Sequence, residues 1–132
     1  MRQALRDQFD ALLEEVLASL PPAIAKLLDE VPVVVEDLPS PAILRDLGMT
    51  PDQAIELCGL HSGTAFTERT VEHPDLPSEI QLYREGIVDQ AGGWGGSDAD
   101  ERIRDEIRIT LLHEIGHQFG LDEDDLERLG YD

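Results

Sequence analysis

Two of the four histidines in this chain stand four residues apart in the stretch "TLLHEIGHQFGLDEDD", Thr110 to Asp125. They are His113 and His117, and Glu114 directly follows the first. In a helix, residues i and i+4 share one face, so both imidazoles point to one place. Each neutral ring offers a nitrogen about 2.0–2.1 Å from a shared zinc ion. Glu114 is turned about 100° around the helix from His113. From there it reaches a water on the ion without taking a coordination position. The ion makes the water more acidic and the carboxylate removes its proton, which is the hydrolytic chemistry of H-E-x-x-H.

Two histidines do not complete a catalytic zinc site, which normally has three protein ligands and one open position. Cys58 is the only cysteine, so the third donor must be His, Asp or Glu. Gly120 suits a left-handed residue that ends the helix and reverses the chain. The acids Asp122, Glu123, Asp124 and Asp125 then return toward the ion. Related motifs carry the third ligand three residues after that glycine. Here that residue is Glu123, with Asp122 and Asp124 as competitors. The run also reads as helix capping, with Asp122 as N-cap and the next acids on the positive helix end. Both readings hold together if Asp122 caps and Glu123 binds. His61 and His73 fall in predicted loops, where a solvated imidazole is the commoner outcome, and they stand as more distant ligand candidates. Leu111, Leu112, Ile115 and Phe119 flank the motif and predict a largely buried helix in which the His and Glu need partners. Gly116, which costs about 1 kcal/mol relative to alanine inside a helix, predicts a close neighbour there.

The elements that position these residues follow from periodicity. Leu5, Phe9, Leu12, Leu13, Val16, Leu17 and Leu20 recur at helical spacing. Pro21 and Pro22 end that helix, and Pro22 starts another over Ala23 to Glu30. "VPVVVED" predicts a strand, with Pro32 placing its start at a sheet edge. "PAILRDLG" and "TPDQAIELCG" predict two short helices, the second capped by Thr50 and stopped by Gly59. "TAFTERTVE" and "EIQLYREGIV" alternate enough to predict two strands, separated by "HPDLPS". A glycine loop, Gly92 to Gly96, surrounds the only tryptophan, Trp94, and is expected to be mobile with Trp94 partly exposed. It reads as a plain connection more readily than as a lid. Ser97 then caps a long helix from Asp98 to Phe119, and a short one covers Glu123 to Leu129. The order α, β, α, β, β, α predicts an α+β domain, a small mixed sheet against helices, spanning 1–132 as one unit.

Composition narrows the function. The net charge is -19, with 10 basic residues, of which Lys26 is the only lysine, against 29 acidic residues. Such a surface repels phosphate backbones, so no nucleic-acid partner is expected. No apolar run approaches a membrane span, and acids interrupt the N-terminal helix, so no membrane association is expected and the expected compartment is cytoplasmic. No methionine follows the motif, which excludes a Met-turn.

At "HEIGHQFGLDEDDLERLGY" the chain resembles the small bacterial zincin-like proteins described as possible zinc metallopeptidases. Those carry H-E-x-x-H-x-x-G-x-x-D in a compact α+β domain. The likeness extends upstream through "TAFTERTVEHPDLPSEIQLYREGIV". The resemblance implies a minimal zincin-like fold, zinc on His113 and His117, and Glu114 as base. Glu123 stands at the family's aspartate position, a carboxylate on an arm one methylene longer. The resulting expectation is a zinc metallopeptidase acting on a peptide or protein substrate. Peptide would pair along the strand near "EIQLYR", with Tyr131 or an arginine at the oxyanion. The alternatives from other classes are a metal-stabilised peptide-binding module without turnover, and a zinc ribonuclease. The charge and the glutamate after the first histidine both speak against the ribonuclease.

Overall fold

The computed structural model describes residues 1–62 and 79–130. The "TAFTERTVE" strand, His73 and Tyr131 lie outside the described residues. Helix α1 runs over Gln3–Ser19, α2 over Pro22–Leu27, β1 over Val33–Glu36 and α3 over Pro41–Leu47. A 3-10 helix covers Pro51–Glu56. Strands β2 (Gly59–Ser62) and β3 (Glu79–Tyr83) follow, then α4 (Arg84–Ala91), α5 (Ala99–Phe119) and α6 (Glu123–Arg128). The fold is α+β, with a mixed sheet of three strands among the described residues packed against helices. The strand order is β1-β3-β2, with β1 parallel and β2 antiparallel to β3.

One hydrophobic cluster joins the helices to the sheet. Phe9, Leu12, Leu13 and Val16 of α1 meet Ile103, Ile107, Leu111 and Ile115 of α5 over Ile80 and Leu82 of β3. The α5 residues recur every four positions, so the helix lays one apolar stripe along the sheet and α1. Ion pairs fasten the rim of this core. Arg84 bridges Asp10 of α1 at 3.0 Å and Asp37 at 3.1 Å, and Arg6 also binds Asp37. These contacts hold the Asp37 carboxyl well below the ordinary carboxylate range, at about 2, chiefly through the Arg6 hydrogen bond.

Four expectations need correction. "EIQLYREGIV" is not one strand, because it turns into α4 at Arg84, where the side chain is anchored to Asp10 and Asp37. β3 is the central strand, paired on both sides, so its backbone has no open edge for a substrate. The segment after the 3-10 helix is strand β2, so Gly59 opens a strand and His61 sits in one. The N-cap of α5 is Asp98 in place of Ser97. Among the described residues Pro32 precedes an edge strand, and its carbonyl accepts from the Ile80 N–H at 3.0 Å. No helix among the described residues is long and apolar enough to cross a membrane.

Candidate functional site

Helix α5 sets the geometry of the motif. His113 and His117 lie on its exposed face, and their Nε2 atoms are 2.8 Å apart. The helix was expected to bury them; only Glu114 is buried, at 7 % exposure. The reason is the stripe itself. Leu111 and Ile115 point into the core and Glu114 lies beside them, which turns positions 113 and 117 outward.

The chain reverses after α5 as the glycine pattern predicts. Gly120 adopts φ 67° and the Leu121 N–H donates to the Gly116 carbonyl at 2.8 Å. A Cβ at Gly116 would stand 2.9 Å from the Leu121 carbonyl oxygen. This is the close neighbour that a glycine inside the helix foretells. The reversal sets α6 beside the histidines and opens a cavity of about 820 Å³ between them. Ile109, Leu112, Leu121 and Leu126 give it apolar walls, and His113, His117 and Glu123 share its lining.

The acidic run divides its tasks. The Asp122 carboxylate accepts the Asp125 N–H at 2.8 Å, and the Asp122 N–H donates back to Asp125 at 3.0 Å. Asp122 is therefore the N-cap of α6. The Asp122 N–H and Arg128 together hold the Asp125 carboxyl below its ordinary value. Glu123 is the first residue of α6 and is exposed on the cavity wall. Among the described residues no three His, Cys, Asp or Glu side chains converge as a metal cage.

The two imidazoles are nonetheless close enough to share one ion. Tetrahedral zinc–imidazole bonds put two ligand nitrogens about 3.3 Å apart. The observed 2.8 Å between the two Nε2 atoms is about half an ångström short of that. Small side-chain rotations on an exposed face supply the difference. The donor chemistry, nitrogen plus carboxylate, also suits zinc.

Strand β2 adds a residue that sequence reasoning left in a loop. The His61 Nδ1 lies 3.4 Å from Glu114 Oε1, and its ring stacks on His117 with centroids 5.2 Å apart and planes 3° apart. Nothing in the local pattern of "CGLHS" signals this, because the strand is four residues long and begins with glycine.

A family model for zincin-like metallopeptidases matches residues 28–131. The chain belongs to the zincin-like metallopeptidase family. The match runs from β1 through the motif helix and α6, and leaves α1 outside it. Membership in a zincin family implies zinc binding and hydrolase chemistry. No curated protein matches the chain.

The glycine loop lies at the other end of α5. Fourteen residues separate Ala99 from His113, about 21 Å at the helical rise. That distance removes the loop as a lid over the histidines. Trp94 is partly exposed, as expected, and packs against the core. The Arg102 guanidinium also donates to the carbonyls of Ala91, at the end of α4, and Gly93, in the loop, at 2.6 and 3.3 Å.

Proposed function

We propose that the chain is a zinc-dependent peptidase in which His113 and His117 hold the ion, Glu123 completes the ligand set and Glu114 is the general base. The observation that carries this reading is the pair of exposed imidazoles meeting at Nε2, with a buried carboxylate one residue away. A purely structural site has no use for that carboxylate. When bound, zinc supplies the Lewis acidity that polarises a peptide carbonyl and makes water a nucleophile at neutral pH.

Glu114 accepts the proton of the attacking water and later delivers it to the leaving amine nitrogen. Its burial limits competition from solvent for the carboxylate. Glu123, on the cavity wall at the first turn of α6, would swing toward the histidines to bind, and Asp122 serves it by capping that helix. Among the described residues β2 is a sheet edge that carries His61 beside Glu114. An extended peptide pairing along β2 would run past the histidines, the role that β3 is unable to fill. The whole of 1–132 acts as one domain in this reading, because α1 packs into the same core as α5.

The test uses purified protein, its zinc content and a mixture of internally quenched peptides, with single-stranded RNA as a control. One zinc per chain and peptide cleavage are expected. Glu114→Gln should keep the zinc and lose about 10²–10⁴ in rate. Zinc binding with no turnover on any peptide would make the protein a metal-stabilised binding module. Loss of zinc in Glu114→Gln would make Glu114 a ligand.

A further inference from the structure

We infer that His61 is a positioning residue for this reaction, its Nδ1–H holding the Glu114 carboxylate while its ring braces His117. The inference rests on the peptidase reading above. It starts from the pleat of β2. Residues i and i+2 of a strand face the same side, so Gly59 and His61 both face α5. A Cβ at Gly59 would lie 2.8 Å from Thr110 Cγ2 and 3.2 Å from Glu114 Cγ. The missing side chain lets the strand press against the helix, and His61, two residues on, meets the next turn of α5. That turn carries Glu114 and His117.

Within the described residues, His61 is the side-chain partner that Glu114 has. A buried carboxylate needs such a partner. Within the described residues His61 engages Oε1, and Oε2 is the oxygen assigned to the proton transfer. The 3.4 Å separation is a few tenths of an ångström longer than a good N–H···O bond. Hydrogen bonds in active sites commonly tighten in the substrate complex. The second contact works on the ligand side. A parallel ring at 5.2 Å restricts rotation of the His117 imidazole, and orientation of that ring sets where its Nε2 points. A histidine that donates Nδ1–H to a carboxylate can also bind an ion through Nε2, so zinc affinity is the readout that separates positioning from ligation.

The experiment compares His61→Leu and His61→Asn with the wild type. Asparagine keeps an N–H near the position of Nδ1, and leucine keeps only bulk. Zinc affinity, read by competition with a chromophoric chelator, should fall by no more than the roughly 10- to 100-fold of a supporting residue in either variant, and kcat is read at saturating zinc. On one cleaved peptide, His61→Leu should lower kcat about 10- to 100-fold with KM little changed, and His61→Asn should recover most of the loss. In metal-free, ¹⁵N-labelled protein in mildly alkaline buffer, His61 should be the Nδ1–H tautomer. Zinc loss in both variants would make His61 a ligand and overturn the inference. An unchanged kcat, a rise in KM alone, or an Nε2–H tautomer would overturn it too. If the wild type cleaves no peptide, the peptidase reading falls, and the tautomer still decides whether His61 holds Glu114.

Discussion

Glu114 and Glu123 are carboxylates near the same two imidazoles, and the fold treats them oppositely. Glu114 is buried against β2, while Glu123 stands exposed on the first turn of α6. Burial suits a base shielded from solvent, and exposure suits an arm that swings to an ion. Zinc titration of single alanine variants separates the acids. Glu123→Ala should weaken zinc binding beyond the 10- to 100-fold seen for supporting residues. Asp122→Ala should leave affinity nearly intact and cost about 1 kcal/mol of stability through the lost cap, measured by urea unfolding. If the two results exchange places, Asp122 is the ligand. At this scale the sequence was highly legible where chemistry is local. The i, i+4 histidines and the Asp122 cap depend only on neighbours along the chain. The partner of Glu114 was not legible, because His61 lies 53 positions away and arrives through strand pairing.

Helix α5 and the segment that folds back on it form the working unit, and Gly116 is their hinge point. Alanine there would favour an isolated helix by about 1 kcal/mol. In the protein its Cβ would meet the Leu121 carbonyl at 2.9 Å, a backbone atom with little room to yield. The clash should win, with a net loss of about 1–3 kcal/mol and weaker zinc binding as α6 is pushed from the histidines. Thermal unfolding and chelator competition on Gly116→Ala check both; a stabilised variant with full zinc affinity would refute the tight reversal. Elements with a long apolar stripe, α1 and α5, were readable from the chain. The short ones were not. "EIQLYREGIV" satisfies a strand pattern and a helix pattern at once, and the Arg84 anchors to α1 and Asp37 accompany the switch between them. β2 exists through its pairing with β3, with Gly59 opposite Leu82, which no local propensity encodes.

Over the whole molecule, charge sets the response to solvent. With net charge -19, mutual repulsion among carboxylates opposes the compact state. Salt also weakens the Arg6–Asp37–Arg84 cluster, but such partly exposed pairs are worth about 1 kcal/mol or less each. Screening of the repulsion should prevail, so the thermal midpoint should rise between 0.05 and about 0.5 M NaCl as the Debye length shortens. A falling midpoint would show that the ion pairs dominate. Acid acts through Asp37. Its folded value of about 2 lies below the ordinary 3.8, so the folded state favours the ionised form. The resulting stability is complete above about pH 4 and disappears as pH falls toward 2, on the order of 1 kcal/mol after solvent screening. Arg6→Gln should therefore destabilise the protein in urea at pH 6 and much less at pH 2.5. An equal loss at both values would assign the effect to packing of the Arg6 stem.

Trp94 turns out to be a spectroscopic convenience. It is the sole indole, partly shielded where Arg102 gathers the loop, and a helix length removed from the imidazoles. Its emission should shift to the red when denaturant opens the α4–α5 end, yet stay constant while zinc is titrated. Zinc itself is colourless, so a flat fluorescence signal beside a saturating chelator signal would separate a variant that has lost its fold from one that has lost only its metal.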